Sequence, residues 1–500
     1  MFGKIKKLLT HSVVYGLGNS ANRVVGFFLL PVYSRYLSPE DYGVLALVGM
    51  FGEILFILTG LGQSSAIFRT YFQHDDPQAR ETVITTSLWI ILTLSFPIGL
   101  VAIACAQPLS QLITGSPEYA FWVRLSAGAV MFRTLERMPL AVLRAREESR
   151  RYASSSFIKT AIGLVLAIVF VVGLQFGGRG VLLSQLIVET AMCAYLLPLA
   201  LKGLAVRYSS ADARHMLGYG LYLIPTALGS FVLQLSDRYF LKYYSTLSVV
   251  GIYALGNRLG EMLSFPMHAF ELAWPQFLFG NQKNPDAPAL YARVFTYLLT
   301  VLGFLWLTIS LLAQEIVTVM VHPAFYEAYR VVPWIAGAFL AQSLNYAGNV
   351  GINLQRKVKY RPLILAMTAA LNLTLNFLLI PAYGMIGAAI ATFASYAFQS
   401  LFRVIVSYWL YPVPYEYARL ARLAVIIASL YSAGVWIAWN SIWTALAGKV
   451  GLVLLFPICL YVSRFFESGE LRHLRELMTR LKQKAGLSSQ ASRALSEENP

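Results

Sequence analysis

Fourteen apolar stretches, each long enough to cross a lipid bilayer, constrain the fold of this chain more than any other feature. A membrane-spanning helix needs about 20 mostly apolar residues. Hydrophobic residues make up 57% of the 500 positions and charged residues only 13%, whereas soluble domains carry about 25% charged residues. The sequence therefore predicts an all-α integral membrane protein with about 14 transmembrane helices. These spans are predicted at residues 11–34, 42–68, 82–106, 119–143, 154–175, 179–201, 215–238, 247–279, 292–313, 331–354, 362–381, 384–410, 420–439 and 443–463.

Two motifs recur and indicate an internal duplication. Five residues of the second span reappear 208 positions later in the eighth span, so that Gly43, Ala46, Leu47, Gly52 and Glu53 correspond to Gly251, Ala254, Leu255, Gly260 and Glu261. The glycine motif at 176–180 reappears 207 positions later at 383–387. Because six spans, an even number, separate the copies, both halves insert with the same polarity. The sequence therefore predicts two parallel six-helix repeats with a transport site between them.

The repeat divides the chain into four predicted regions. Residues 1–206 form an N-terminal six-helix lobe and residues 207–412 a C-terminal six-helix lobe. Residues 413–463 contain transmembrane helices 13 and 14, which fall outside the repeat, and residues 464–500 form a cytoplasmic tail.

The basic residues predict the orientation of these spans. With the N-terminus in the cytoplasm, 28 of the 40 Lys and Arg residues fall at cytoplasmic ends and loops and seven fall on the outer side. Cytoplasmic loops carry such an excess of basic residues in membrane proteins. The net charge of +16 therefore indicates topology and contact with anionic lipids, and nucleic acid is excluded as a partner. We expect a multi-pass protein of the bacterial inner membrane with both termini in the cytoplasm.

Polar residues inside the first span are candidates for substrate binding. An arginine near the middle of a membrane costs about 2.5–3.5 kcal/mol on insertion scales, so it faces protein or water. Asn19 and Asn22 lie on one face of the predicted helix, and Arg23 lies one turn after Asn19. Their guanidinium and amide donors could hold a phosphate. The alternative is an interhelical bond between Arg23 and a glutamate.

The eighth span carries a stripe of polar residues, which predicts a water-filled interior. Glu261, His268 and Glu271 lie on this stripe and Arg258 lies beside it. His268 could titrate near neutral pH and carry a proton, so these three residues and Glu53 of the second span are candidates for ion coupling. Two structural alternatives remain open, namely mutual neutralisation of Arg258 and Glu261 and a packing role for His268.

Amides in the tenth span form a third candidate group. Asn345 and Asn349 occur at helical spacing and could bond the hydroxyl groups of a sugar. Such amides also join helices to one another, each bond contributing about 0.6 kcal/mol. Nucleotide-binding glycine patterns, metal-spaced histidines and nucleophile elbows are absent from the sequence, so we expect no cofactor, no metal and no enzymatic activity.

Two stretches resemble a known family of membrane proteins. The pattern Ser34–Gly43, SRYLSPEDYG, follows a first helix that bears Asn and Arg. It resembles the polysaccharide-export and O-antigen flippases of the multidrug/oligosaccharidyl-lipid/polysaccharide exporter superfamily. The stretch Phe377–Thr392 is similar to the junction of spans eleven and twelve in that family. The resemblance covers essentially the whole chain.

The resemblance implies two six-helix lobes around a central cavity. It implies translocation of a polyprenyl-diphosphate-linked oligosaccharide from the cytoplasmic to the outer leaflet, by alternating access, for the synthesis of O-antigen or exopolysaccharide. In this family, cationic residues of the cavity bind the diphosphate, and Arg23 and Arg258 are the matching candidates. The implied partners are membrane lipids, a polysaccharide polymerase and glycosyltransferases.

Two other functions fit parts of the sequence. A cation-coupled exporter of small molecules or drugs, from the same superfamily, is favoured by Glu53, Glu261 and Glu271. A membrane-bound polysaccharide polymerase or ligase needs a substantial outer catalytic loop, whereas the predicted outer connections of this chain are short.

Overall fold

The computed structural model describes residues 29–437, 441–467, 469 and 470 of the chain, and within these ranges the regular structure is entirely helical. Residues 29–36 are helical and lead into a first helix group, defined here as α1 to α8. Its members are Pro39–Gly60 (α1), Gln63–Tyr71 (α2), Pro77–Ile90 (α3), Phe96–Ala104 (α4), Ala106–Thr114 (α5), Ala120–Ala145 (α6), Ser149–Ile168 (α7) and Gly177–Leu201 (α8).

A second helix group, defined here as α9 to α17, follows, and two further helices end the described chain. The second group comprises Ser210–Tyr244 (α9), Leu247–Gly260 (α10), Ser264–Asn281 (α11), Ala287–Leu311 (α12), Ala313–Met320 (α13), Val332–Ser343 (α14), Asn345–Gly348 (α15), Val350–Leu354 (α16) and Tyr360–Leu410 (α17). The last two helices are Tyr417–Trp436 (α18) and Ile442–Val462 (α19).

Nine helical segments of the described residues are long and apolar enough to cross a bilayer. The prediction of an all-helical, multi-span membrane protein is therefore confirmed at this level. Helices lie at each predicted span from the second to the fourteenth, whereas most of the first, 11–34, lies outside the described residues. The count of fourteen transmembrane helices stays a prediction.

Several predicted spans are broken locally, including the eighth and the tenth. The eighth span is interrupted by a 3₁₀ turn at Glu261–Leu263. Pro266, just beyond that turn, lacks the N–H group that would bond the carbonyl of Met262. The tenth span is divided into α14, α15 and α16. The breaks in the eighth and tenth spans lie next to polar residues that the sequence singled out.

Gly384 divides α17 into two arms. Its φ of 54° and ψ of −131° lie in a region that only glycine adopts at low cost. The two arms pack against each other and against α16, as Ile364 of the first arm and Val406 of the second share an apolar cluster with Ile352. The predicted junction of spans eleven and twelve therefore corresponds to the bend at Gly384.

The two helix groups meet through glycines of α1 and α10. A Cβ atom on Gly43 would overlap with the carbonyl oxygen of Leu247, and one on Gly251 would overlap with that of Pro39. Only glycine allows the backbones to approach this closely, as in small-residue contacts of membrane helices. Tyr42 continues the contact with an edge-on ring packing against Phe325 at 5.7 Å. We call this the Ser38 end of the molecule, after the N-cap of α1.

The opposite end of the molecule has its own contacts between the groups. Gly220 of α9 packs against the carbonyl of Leu61, at the turn between α1 and α2. The imidazole Nε2 of His74 lies 2.9 Å from the Asp212 carboxylate. The Thr86 hydroxyl accepts the backbone N–H of Ser209 at 3.0 Å. We call this the Asp212 end.

Candidate functional site

A cavity of about 1100 Å³ lies between the two helix groups. Its walls come from α1, α6 and α8 of the first group and from α9, α10, α11, α14 and α17 of the second. Seven of the ten residues that the sequence predicted for substrate binding or ion coupling line it, namely Glu53, Arg258, Glu261, His268, Glu271, Asn345 and Asn349. The other three, Asn19, Asn22 and Arg23, lie outside the described residues.

Arg258 presents an exposed guanidinium to the cavity. It lies in the last turn of α10, below the contact that closes the Ser38 end. Tyr33 and Tyr42 lie close enough to feel its charge. No carboxylate within the described ranges pairs with Arg258, so the alternative of mutual neutralisation with Glu261 is not observed there. Among the described residues its positive charge is available to a ligand.

The carboxylate of Glu53 forms an ion pair with Arg133. It accepts a hydrogen bond from Nη1 of Arg133 at 2.6 Å, and the Arg133 guanidinium stacks 4.1 Å from the centre of the Phe56 ring. Aromatic and ionic contacts together fix this arginine on the cavity wall. Glu53 and Arg133 form an ion pair in this conformation, whereas Glu261 has no ion pair among the described residues.

His268 and Glu271 lie one turn apart on α11 and face the cavity. Nδ1 of His268 is 3.1 Å from a carboxylate oxygen of Glu271. Both side chains are partly exposed, at 42% and 61%, so water reaches this pair. The polar stripe predicted for the eighth span is thus present, and its second half, with His268 and Glu271, lies on α11 after the 3₁₀ turn.

Asn345 joins two helices, and both Asn345 and Asn349 keep an acceptor atom unused among the described residues. Nδ2 of Asn345 donates to Gln399 of α17 at 3.3 Å, which joins two helices. The Oδ1 atoms of both asparagines are buried and accept no hydrogen bond within the described chain. A buried acceptor left unsatisfied costs about 1–3 kcal/mol, so these oxygens favour a ligand that donates hydrogen bonds.

Several cavity residues escaped the sequence analysis. Arg238 lines the cavity from within α9, which continues to Tyr244, and lies 3.4 Å from Asp237. Glu189 lines the cavity and pairs with Lys159 of α7 at 2.6 Å. Arg403 of α17 also reaches the cavity. The feature of the sequence that could have identified Arg238 and Arg403 as cavity residues is a charged side chain at or near the end of a predicted span.

The described residues hold no cluster of three or more His, Cys, Asp or Glu side chains suited to a metal ion. The polar groups of the cavity are instead amides, tyrosines and charged side chains spread over both helix groups. This arrangement can bind a large polar ligand and contains several donors and acceptors without a partner among the described residues.

Two lobes enclosing a polar cavity define a class of multi-pass helical transport proteins. The profile of a family described as "Polysaccharide biosynthesis protein" matches residues 32–270 of this chain. The resemblance to polysaccharide-export and O-antigen flippases that the sequence indicated is therefore confirmed as a resemblance.

Individual relatives agree with this assignment. The succinoglycan biosynthesis transport protein ExoT of Rhizobium meliloti is 23% identical over 56% of this chain and 56% of its own length. The lipid III flippase of Escherichia coli is 24% identical over 72% of this chain and 88% of its own. With several other curated relatives, the chain aligns over about 40 to 66% of their length.

A solved structure extends the comparison to the fold. The structure described as "Lipid II flippase MurJ, inward closed conformation" matches 91% of this chain and 100% of its own, with a TM-score of 0.71. Because the sequence identity is 11%, this likeness concerns the fold alone.

Proposed function

We propose that this protein moves a polyprenyl-diphosphate-linked oligosaccharide from the cytoplasmic to the outer leaflet by alternating access. The observation that carries the proposal is Arg258, a cation that faces the cavity without an ion pair among the described residues. A guanidinium binds phosphate oxygens bidentately and suits a diphosphate. Arg23 is the second proposed diphosphate ligand, and the family relatives named as flippases support this substrate class.

The sugar would bind to other polar groups of the cavity wall. The free Oδ1 atoms of Asn345 and Asn349 suit hydroxyl donors, and Asn19 and Asn22 are proposed to complete the polar surface. Glu261 and the His268–Glu271 pair are the proposed ion-coupling groups. Glu53 would join them only when its bond to Arg133 breaks during the transport cycle.

We further propose fourteen transmembrane helices arranged as two parallel six-helix repeats. The contact at the Ser38 end supports this arrangement, because Gly43 meets Leu247 while Gly251 meets Pro39. Gly251 lies 208 positions after Gly43, and Leu247 lies 208 positions after Pro39, so the two contacts join equivalent positions of the two repeats. Such an exchange of partners is what a two-fold axis between repeats produces. The lobes would comprise residues 1–206 and 207–412, with 413–463 as added helices.

The distribution of basic residues gives the proposed orientation. The loops with Lys and Arg belong to the Asp212 end, so this end would face the cytoplasm of a bacterial inner membrane. The closed Ser38 end would then face outward, and the tail 464–500 would be cytoplasmic. We propose transport without chemical conversion, in a pathway that also needs glycosyltransferases and a polysaccharide polymerase.

Replacing Arg258 tests the proposed diphosphate site. In a polymer-producing strain, Arg258→Ala is expected to lower polymer export about tenfold, because a charged hydrogen bond contributes about 1.5–3 kcal/mol. Arg258→Lys should retain part of the activity. The matched control is Arg124→Ala, since Arg124 is exposed on α6 and does not line the cavity. Normal export by well-expressed Arg258→Ala would contradict the proposal.

A cation-coupled exporter of small molecules is the second candidate. The observation in its favour is Glu261, which faces the cavity as a carboxylate without an ion pair in the described part of the chain. Drug sensitivity of a deletion strain that still exports normal amounts of polysaccharide would favour this function over lipid-linked oligosaccharide transport.

A further inference from the structure

Two arginines at the base of the α17 hairpin form a cationic pair outside the proposed Arg258 site. Arg361 lies in the first turn of one arm, and Arg403 lies near the end of the other. The apolar cluster of Ile352, Ile364 and Val406, extended by Tyr360 and Phe402, holds this base together. Tyr360 precedes Arg361 and Phe402 precedes Arg403, so this shared cluster brings the two arginines to the same end of the hairpin.

Neither arginine is neutralised within the described residues. The sequence has no Asp or Glu between Glu327 and Glu416, and Glu416 itself pairs with Arg419 at 3.0 Å. Arg361 donates to Oδ1 of Asn353. The Nε atoms of both arginines are buried without a hydrogen-bond acceptor. Two neighbouring positive charges repel each other, and their unsatisfied donors cost free energy. An anion bound between them would reduce both costs.

We propose that Arg361 and Arg403 bind the phosphate group of a membrane lipid. Guanidinium groups recognise phosphate oxygens through paired donors, and basic pockets between membrane helices hold lipid head groups. Arg361 adjoins the basic loop that contains Arg356, Lys357 and Lys359, where lipid phosphates are expected to lie. Arg403 also lines the cavity, so the same site is open to a diphosphate that enters it.

The site is independent of the transport proposal, because it rests on charge and unsatisfied donors rather than on movement of a substrate. Its ligand could be the diphosphate of a lipid-linked sugar or the head group of an ordinary anionic phospholipid. Both present the same phosphate chemistry to Arg361 and Arg403. A binding measurement with one probe of each kind separates the two sources.

The test titrates the purified full chain in detergent and counts bound lipids by native mass spectrometry. The probes are farnesyl diphosphate, phosphatidylglycerol and, as the zwitterionic reference, phosphatidylcholine. The double variant Arg361→Gln/Arg403→Gln is expected to bind at least one anionic probe about tenfold more weakly than wild type, which corresponds to about 1.4 kcal/mol. The matched control is Lys357→Gln/Lys359→Gln, which removes the same charge from exposed positions of the neighbouring loop and is expected to change affinity less than threefold.

Loss of affinity for both anionic probes would assign the site to lipid phosphates in general. Loss for farnesyl diphosphate alone would assign it to the diphosphate carrier. Unchanged binding of both probes, or an equal loss in the lysine control, would overturn the proposal. Folding is checked separately, because removing two like charges is expected to leave the melting temperature of the ligand-free variant equal to or above that of wild type. Arg258→Gln, measured alongside, separates this site from the central one.

Discussion

Lys159 joins two carboxylates in the interior of the first helix group. Its Nζ lies 2.5 Å from Glu136 of α6 and 2.6 Å from Glu189 of α8, so one cation holds three helices together. The side chains of Glu136 and Glu189 are only 3% and 14% exposed. Removing one partner of a buried ion pair leaves an uncompensated charge and is strongly destabilising.

Lys159→Met is therefore expected to lower the stability of the protein by about 3 kcal/mol, because two carboxylates would face each other without a cation. Thermal unfolding in detergent measures the effect. Lys202→Met serves as the control, since Lys202 is exposed at the end of α8. Adding Glu136→Gln to Lys159→Met should restore part of the loss. A melting temperature for Lys159→Met equal to that of the control would contradict this account.

The sequence predicted individual polar residues of the site, because a polar side chain exposed to lipid costs free energy. This reasoning placed Arg258, Glu261 and Asn345 at the site, because a polar group in a span has to face protein or water. It could not identify their partners. The bond between Arg133 and Glu53 joins residues 80 positions apart, and helical periodicity says nothing about which helix packs against which. Asn19, Asn22 and Arg23 stay predictions.

At the scale of the elements, helices α1 and α10 pack closely through Gly43 and Gly251. Gly43→Ala or Gly251→Ala would drive a methyl group into a carbonyl oxygen of the opposite helix. We expect either change to separate α1 from α10 at the Ser38 end and to lower the melting temperature. Gly49→Ala is the matched control on the same helix, because a Cβ there meets no neighbour within 4 Å.

Spin labels at the start of α1 and of α10 would measure that separation. A longer distance in Gly251→Ala, with Gly49→Ala unchanged, is the expected result. An unaltered distance and melting temperature in both glycine variants would show that the contact does not close the Ser38 end.

The bend of α17 gives a second test at this scale. Gly384→Ala places a Cβ at φ 54° and ψ −131° and is expected to cost about 1–3 kcal/mol through backbone strain. Gly218→Ala is the control, since Gly218 lies within helix α9 with open space around it, and alanine there should be neutral or stabilising. Thermal unfolding compares the two, and equal melting temperatures would contradict the strained-bend interpretation.

The sequence located most helices but not their interruptions. Apolar length alone placed helices at the second to fourteenth predicted spans, and the recurring glycine motif marked the junction near Gly384. The division of the tenth span into α14, α15 and α16 was not anticipated, because the amides of this span were interpreted as polar side chains of one continuous helix. End positions were also inexact. Helix α9 runs to Tyr244, six residues beyond the predicted end, because Tyr and Lys side chains at an interface extend a helix without adding hydropathy.

At the scale of the whole molecule, the two helix groups touch at both ends and leave a polar cavity between them. Closure at the Ser38 end depends on the contact between glycines of each group and carbonyl groups of the other. Only some of the charged side chains on the cavity wall form ion pairs. Glu53 pairs with Arg133, while Arg258 and Glu261 lack ion pairs within the described residues. A diphosphate ligand at Arg258 would change this balance and favour one orientation of the lobes over the other.

The measurement that tests the central claim most directly is the inventory of lipid-linked saccharides in a deletion strain. If the protein moves a polyprenyl-diphosphate oligosaccharide, this intermediate should accumulate in the inner leaflet while polymer export stops. Wild-type protein should clear the intermediate, and Arg258→Ala should not. Intact export with no trapped intermediate, in a strain without a redundant flippase, would contradict the proposed function and favour the small-molecule exporter.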